Sequence, residues 1–440
     1  MEVTPDAPAN LHSPSTAQAV ERQVTNRQGR GSQSTRQAIK WVGLAGMSAG
    51  LVAMLVQLAA FRVLALEPLQ ADFQVWWSAM FVMFGLLTGL QNETVRSTTR
   101  ANDVGGTGPR ASRVAPVVVG LVVVLGIATL PLWSQGLGAA SGTQPFWLAG
   151  ALLYGVAFTA FTVVVLGAAA GSRAWRLVAL ATGADAGTRL VLVGVVYLTG
   201  GGIEQFAWAS VLSTTVIVFF LAFSRTVRRT LTTRMDAPGR VYLARVLTSM
   251  LALGAYSLLV VGFPLLLSLT TEQAELKTAA AFMLAISLTR APFLVPLNAL
   301  QGVAISYFTT SRSRGPTAGL KLVGGVMGCG VAVGALAFAV GPWLMQLLAG
   351  QSVSRLVLAL LTLGGATIAV LTLTGVMCQS SGLYRFFLGG WLLAVAVSVA
   401  LLLLPLPVTV KGIIALLAGP LVGASLHLFG ILKHTRLAAK

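Results

Sequence analysis

Three ionisable residues lie deep within apolar segments of the sequence: Asp185, Arg189 and Arg290. A charged side chain near the middle of a membrane helix costs about 2.5–3.5 kcal/mol on insertion scales, so each is a functional candidate. Asp185 and Arg189 are four residues apart, which places them on one face of a helix where they can pair. The pair either locks two helices together or leaves its arginine free to hold an anion in a cavity.

Arg290 has no acidic neighbour in the sequence and lies just before Pro292. We expect it to face a wet cavity, because the fork of donors on a guanidinium fits the oxygens of a phosphate. Pairing with Asp185 across the molecule is the alternative. Arg62, at the end of the first apolar segment, is a further anion-binding candidate, although a side chain that reaches out to the membrane surface explains it without any function.

Gln91, Asn298 and Gln301 are polar positions near the ends of two apolar segments. They are candidates for lining a cavity or for joining helices by hydrogen bonds. Asp185 is the one acid deep within a predicted span and is therefore the candidate for coupling transport to an ion.

Other chemistry finds little support in the sequence. No phosphate-binding loop of the GxxxxGK[ST] type occurs, and the three histidines, His12, His427 and His434, lie near a terminus or in the last apolar segment. The two cysteines, Cys329 and Cys378, show no metal-binding spacing. We therefore predict no catalytic residues, no metal and no cofactor.

Composition places these residues in a membrane. The 440 residues are 56% hydrophobic and 10% charged, whereas soluble domains carry about 25% charged residues. Apolar segments long enough to cross a bilayer as helices recur along the chain. We predict an all-α integral membrane protein of about twelve transmembrane helices, at 41–61, 73–91, 114–134, 146–169, 177–199, 204–224, 244–268, 278–308, 320–347, 356–377, 386–405 and 411–432.

The distribution of basic residues predicts the orientation. With the amino terminus inside, the inner segments hold 24 of the lysines and arginines, and the outer segments hold Arg62, Lys277, Arg355 and Lys411. Such a bias is typical of cytoplasmic loops, so both termini are predicted in the cytoplasm. The same pattern accounts for the net charge of +18 and makes nucleic-acid binding an unlikely interpretation.

Two sequence matches indicate an internal repeat. Leu90-Gln91 aligns with Leu300-Gln301, and Trp175-Arg176 aligns with Tyr384-Arg385, at nearly the same offset. We therefore predict two six-helix bundles related by a pseudo-two-fold axis along the membrane normal, with a substrate site between them. The predicted organisation is a disordered cytoplasmic tail (1–40), an N-terminal bundle (41–224), a cytoplasmic linker (225–243), a C-terminal bundle (244–432) and a cytoplasmic tail (433–440).

Four stretches resemble a known family: GLLTGLQNETVRS, VLGAAAGSRAWRLVAL, LAISLTRAPFLVPLNALQGV and LLPLPVTVKGIIALLAGPLVGASLHL, at 85–97, 165–180, 284–303 and 403–428. They are similar to actinobacterial polysaccharide flippases of the multidrug/oligosaccharidyl-lipid/polysaccharide exporter superfamily. The resemblance implies a bacterial plasma-membrane transporter that flips a polyprenyl-pyrophosphate-linked glycan by alternating access. It also implies that Arg290, and next Arg189, contact the pyrophosphate, and that glycan polymerases or glycosyltransferases are partners.

Competing interpretations remain open. A small-molecule exporter, including a drug/cation antiporter, would share the two-bundle plan, but residues 41–61 contain no acid for cation coupling. A membrane glycosyltransferase would be favoured if Glu67 and Asp72, in the first predicted outer loop, carried catalysis. In a scaffold for glycan assembly, no charge in the cavity would matter.

Overall fold

Twelve apolar helices account for most of the fold. The structure is a computed structural model, and it describes residues 40–294 and 315–438. Eleven helices within those residues are long and apolar enough to span a membrane, and a shorter apolar helix lies at Ala280–Leu294. They are, in chain order, α1 (Lys40–Val63), α2 (Glu67–Val104), α3 (Ala111–Ala128), α4 (Pro145–Gly171), α5 (Trp175–Thr199), α6 (Ile203–Phe223), α7 (Gly239–Val260), α8 (Ala280–Leu294), α9 (Gly315–Ala349), α10 (Arg355–Ser380), α11 (Tyr384–Leu402) and α12 (Val408–Ala438). Asn298, Gln301 and the predicted tail up to residue 39 lie outside the described residues.

Helix α2 is much longer than the span predicted at 73–91. Its 38 residues measure about 57 Å at 1.5 Å per residue, well beyond a hydrocarbon core of roughly 30 Å. The polar residues 92–104, predicted as loop from their charge, continue the helix instead. Arg96 binds Glu93 one turn earlier, with Nε 2.8 Å from one carboxylate oxygen, and the helix ends only at Gly105, whose φ is +88°.

Two other boundaries also differ from the prediction. Helix α7 begins at Gly239 and ends at Val260, and a separate short helix, Phe263–Thr270, follows, where a single span at 244–268 was predicted. Helix α12 continues to Ala438, so most of the predicted C-terminal tail is helical.

The packing of the helices repeats with an offset of six. In the first half α3 packs on α4, and α6 packs on both α4 and α5. In the second half α9 packs on α10, and α12 packs on both α10 and α11. This recurrence, on an all-helical chain, confirms the predicted fold of two six-helix bundles.

Helices α2 and α7 form the main contact between the bundles. Two glycines of α2 permit the approach, since a Cβ on Gly89 would lie 2.5 Å from the backbone of Met250. The first part of α7 belongs to a buried cluster with α2, α3 and α4, through Tyr242 and Val246. Its last part belongs to a cluster with α10, α11 and α12, through Leu259. Helix α7 is therefore shared by the two halves.

The connection between the bundles is docked onto α2. Its residues 231–235 exchange backbone hydrogen bonds with residues 108–112, and the Asp236 carboxylate accepts from Ser97 Oγ at 2.6 Å and Arg245 Nη1 at 3.2 Å. Burial alone would raise the pKa of Asp236, but these hydrogen bonds and the charge of Arg96 outweigh it, so the pKa lies below its ordinary value. The predicted linker is thus anchored to the first bundle.

Candidate functional site

The chain breaks its helical path between Val260 and Phe263. Pro264 has no N–H, so the carbonyl of Val260, four residues earlier, has no helical donor. Gly262 is required at the break, because a Cβ there would lie 2.3 Å from Val82 Cγ2 of α2. Backbone carbonyls freed within a membrane span must find other donors.

Arg290 of α8 supplies most of those donors. Its Nη1 donates to the carbonyls of Leu259, at 2.8 Å, and Val260, at 2.7 Å. The next carbonyl, that of Val261, accepts from Ser78 Oγ of α2 at 3.0 Å. The C-terminal end of a helix carries a partial negative charge, so a guanidinium is well suited to it. These bonds join α8 and α2 to the end of α7.

The position of Arg290 differs from the predicted wet cavity. The side chain is 3% exposed, and its Cζ lies 5.3 Å from the centre of the Phe263 ring. Its hydrogen bonds go to α7 rather than to Asp185. Its Nη2 is buried without a hydrogen-bond partner among the described residues, so one donor group remains for a ligand or a water molecule.

Asp185 and Arg189 form the pair that their spacing predicted. Arg189 Nη2 donates to Asp185 Oδ2 at 3.0 Å, and Ser213 Oγ of α6 donates to Asp185 Oδ1 at 2.7 Å. Arg189 Nε in turn donates to Ser213 Oγ at 3.2 Å. The three side chains close a triangle that joins α5 to α6.

The triangle lies at an irregular point of α6. Ser213 begins a 3₁₀ turn, Ser213–Thr215, within the helix, and such turns within longer helices often mark hinges. Arg189 is 6% exposed, whereas the Asp185 side chain is 30% exposed. Asp185 is thus the member of the triangle that a proton or cation could reach.

A second set of bonds joins the two bundles at the predicted outer side, and we call it the outer clasp: Arg62, Gln70 and Gln351. Arg62 Nε donates to the carbonyl of Leu348, at the end of α9, at 3.0 Å, and its Nη2 donates to the carbonyl of Leu347. Gln351 Nε2 donates to Gln70 Oε1 at 3.0 Å. Arg62 therefore caps a helix of the opposite bundle. The sequence had suggested only an anion-binding role or a side chain that reaches the membrane surface.

A crevice separates the bundles between α1 and α8. It comprises two adjoining cavities of about 380 and 370 Å³, which share Met54, Leu288, Ala291 and Pro292 in their walls. Leu51 of α1 is 58% exposed and Leu336 of α9 is 61% exposed. Because these exposed leucines line the cavities, the crevice opens towards the membrane. We call it the α1–α8 crevice.

The polar groups of the α1–α8 crevice are neutral in the described part of its wall. Gln57 and Ser287 line the cavity of about 380 Å³. Gln57 Oε1 accepts from Gln74 Nε2 of α2 at 3.3 Å, and Gln74 Oε1 is buried without a partner among the described residues. Gln74 is fully buried, so in the described wall it is the amide of Gln57 that can offer hydrogen bonds to a polar group in the crevice.

Comparison with known proteins gives the family. No protein-family model matches the chain. Uncharacterized proteins of Mycobacterium bovis and Mycobacterium tuberculosis are 37% identical to it over 380 residues, which cover 82% of this chain and 84% of theirs. A second uncharacterized protein of Mycobacterium tuberculosis is 34% identical over 371 residues, with the same coverage. The chain belongs to this mycobacterial protein family.

Solved structures show the fold of this chain. An inward-facing multidrug resistance MATE transporter of the MOP superfamily matches 90% of the chain and 96% of its own length, with 18% identity and a TM-score of 0.68. An outward-facing MATE transporter matches 92% and 97%, with 20% identity and a TM-score of 0.65. A MOP superfamily transporter from Pyrococcus furiosus gives a TM-score of 0.64 at 20% identity. This member of the family thus has the MATE fold.

The fold separates the residues that the sequence singled out. Arg290 holds the α7 break, Arg189 pairs with Asp185, and Arg62 belongs to the outer clasp, so none of the three arginines lines the described part of the crevice. Gln91 is half-buried on α2, where its backbone carbonyl oxygen faces Gly167 of α4.

Two functional candidates were missed from the sequence, namely Gln57 and Gln74. The signal of Gln57 was visible, because it is a lone glutamine within an apolar stretch, where a polar side chain needs a partner or a ligand. Gln74 was less visible, because it follows the polar residues Gln70 and Asp72.

Asp72, predicted in an outer loop, is buried on α2. Its carboxylate accepts from the backbone N–H groups of Ala140 and Ser141 at 3.0 and 2.8 Å. These bonds hold the loop between α3 and α4, which gives Asp72 a structural task.

Proposed function

We propose that this protein is a transporter that moves a lipid-linked glycan across a bacterial plasma membrane by alternating access. The observation that carries the proposal is the α1–α8 crevice, which lies between two bundles and opens towards the membrane. A glycan headgroup cannot cross hydrocarbon unaided, because every unpaired polar group costs several kcal/mol. In the crevice the headgroup would bind while the lipid chain stays in the bilayer.

The outer clasp supports an inward-open arrangement. Arg62 and the pair Gln70–Gln351 hold the bundles together at one end, and the strong bias of basic residues assigns that end to the outside. In our proposal both termini lie in the cytoplasm and the substrate enters from the inner leaflet.

In our proposal, neutral groups bind the sugars of the substrate and a cationic group contacts its pyrophosphate. Gln57 and Ser287 suit sugar hydroxyl groups, because amides and hydroxyls both donate and accept hydrogen bonds. Of the three arginines, Arg290 alone retains an unpartnered buried nitrogen, Nη2, and it stays our candidate for contact with the pyrophosphate. Asp185 is our candidate for ion coupling.

Export of a small amphipathic molecule is the second candidate function. The neutral lining of the described crevice favours it, since no fixed positive charge there selects a phosphate. The likeness to multidrug resistance transporters is compatible with it. A glycosyltransferase is less well supported, because Asp72 is engaged with backbone N–H groups.

Flipping of a fluorescent polyprenyl-pyrophosphate oligosaccharide in proteoliposomes tests the proposal. Wild-type protein is expected to bring the labelled headgroup within reach of an external quencher faster than protein-free vesicles do. Gln57→Leu is expected to slow flipping by about tenfold, because the loss of roughly 1.4 kcal/mol of binding changes an equilibrium tenfold. Gln205→Leu, at an exposed glutamine at the start of α6, is the matched control.

One outcome would overturn the flippase, and another would overturn the place given to its substrate. The first is wild-type protein that flips no lipid-linked glycan while it transports amphipathic dyes, which would establish the small-molecule exporter. The second is a Gln57→Leu variant that flips at the wild-type rate, which would remove the α1–α8 crevice from the pathway.

A further inference from the structure

A second crevice lies on the opposite side of α2, between α3 and α7. It has a volume of about 320 Å³, and its described wall is formed by apolar side chains of α2, α3, α4 and α7 together with Thr129, Leu130 and Trp133, which follow α3. Leu121 and Leu125 of α3 are each 54% exposed, and Leu243 and Leu247 of α7 are 53% and 57% exposed. The opening therefore faces the membrane. We call it the α3–α7 crevice.

This crevice is separate from the transport pathway. It shares no residue with the described walls of the α1–α8 crevice. Gly126 of α3 lies in its wall, and a Cβ there would be 2.4 Å from Leu153 Cδ1 of α4, so the glycine lets Leu153 pack closely against α3 at the base of the crevice. No polar side chain from α7 lines it, since α7 contributes Leu243, Val246, Leu247 and Met250.

Exposed arginines surround one end of the α3–α7 crevice. Arg113 lies in the first turn of α3 and Arg240 in the first turn of α7, and both are exposed. The two helix starts lie together, because Val114 and Tyr242 belong to one buried cluster. The walls of the crevice begin one to two turns further along each helix.

Two more arginines lie at the same end. Arg110 and Arg234 are paired through their backbones, and both side chains are exposed. Of the acids of this region, Asp236 already accepts hydrogen bonds from Ser97 and Arg245, Glu93 is paired with Arg96, and Asp103 is exposed at the end of α2, so the exposed arginines outnumber the exposed acid. The end of the crevice is therefore strongly positive, and the rest of it is apolar.

We propose that the α3–α7 crevice binds an anionic phospholipid of the surrounding leaflet. The phosphate of the headgroup is held between Arg113 and Arg240, and one acyl chain lies along the leucines of α3 and α7. The charge selects the lipid, because basic side chains at a membrane surface attract anionic headgroups. Chain burial adds packing contacts rather than a hydrophobic driving force, since the chain is already in an apolar medium.

The position gives the lipid a mechanical consequence. It bridges α3 of the first bundle and α7, whose last part packs in the second bundle. A bound lipid thus strengthens the attachment of α7 to the first bundle. The proposal does not depend on which substrate crosses the membrane.

Competition between two labelled lipids for the purified full-length protein in neutral detergent tests the proposal. Wild-type protein is expected to prefer phosphatidylglycerol to phosphatidylcholine by about 25-fold, given roughly fivefold for each of the two arginines near the headgroup. The Arg113→Gln/Arg240→Gln variant is expected to lose most of this preference. Arg176→Gln/Arg385→Gln removes the same charge from exposed positions at the starts of α5 and α11 and is expected to keep it.

A second variant tests the apolar part. Leu247→Trp fills the opening at an exposed position, so that folding is preserved, and it is expected to weaken binding of phosphatidylglycerol several-fold while the preference for its headgroup is retained. Equal loss of preference in the two double variants would overturn the proposal in favour of a general effect of surface charge. Binding of polyprenyl phosphate without binding of phosphatidylglycerol would also overturn it, because the site would then belong to the substrate.

Discussion

Replacing Arg290 with methionine is expected to destabilise the folded protein more than any other single arginine substitution. The change removes Nη1 and leaves the carbonyls of Leu259 and Val260 without a donor. A buried unsatisfied group costs about 1–3 kcal/mol, so the two together cost about 2–6 kcal/mol. The midpoint of thermal unfolding in detergent, read together with the yield of monodisperse protein, measures the loss.

Two further variants separate structure from binding. Arg290→Lys keeps the charge and one donor group, and we expect it to be intermediate in stability. Arg176→Met, at an exposed position, is expected to unfold like the wild type. An Arg290→Met protein with wild-type stability and no transport would contradict the helix-end role and would identify Arg290 as a residue that contacts the substrate.

Asp185→Asn is expected to have the second large effect. The amide has nearly the shape of the carboxylate, yet it leaves Arg189, which is 6% exposed, without a counter-ion. Removing one partner of a buried ion pair costs about 3–5 kcal/mol, since the remaining charge is uncompensated. Thermal unfolding in detergent is again the measurement.

A double-mutant cycle distinguishes pairing from unrelated damage. Asp185→Asn/Arg189→Gln removes both charges, so we expect it to be more stable than Asp185→Asn alone. Ser213→Ala, which removes the third corner of the triangle, is expected to cost about 1 kcal/mol. If the double variant is as unstable as the sum of the two single variants, the ion pair is not what joins α5 to α6.

The fold could be predicted from the sequence because it depends on properties that can be read along the chain, namely the length of each apolar segment and the distribution of basic residues. Apolar length fixes each helix, and basic residues mark alternate connections. The offset between Leu90-Gln91 and Leu300-Gln301 indicated two halves, and the packing of α3–α6 and α9–α12 repeats accordingly. Boundaries were less accurate where polarity and helicity diverge, as in residues 92–104, whose charges suggested a loop although no glycine or proline interrupts the helix.

The side-chain contacts of the site could be predicted only where both partners are close in the sequence. Asp185 and Arg189 pair within one helix turn, so their spacing sufficed. The partners of Arg62 and Arg290 are carbonyls of helix ends that lie far away in the sequence, and no spacing encodes them. Pro264 was a usable sign, because a proline within an apolar segment frees a carbonyl that some cation or hydroxyl must satisfy.

The outer clasp holds the two bundles together at one end of the molecule. If the protein is a flippase that works by alternating access, the clasp must open in every transport cycle, so locking it tests this central claim. Gln70→Cys/Gln351→Cys, in a protein whose exposed Cys329 is replaced by alanine, can be joined by a disulfide formed with a mild oxidant, because the two native side chains are in contact at 3.0 Å. The rate of flipping of a fluorescent polyprenyl-pyrophosphate oligosaccharide is then measured before cross-linking, after it, and after reduction. We expect flipping to fall by at least about tenfold on cross-linking and to return on reduction, whereas undiminished flipping by fully cross-linked protein would contradict the account.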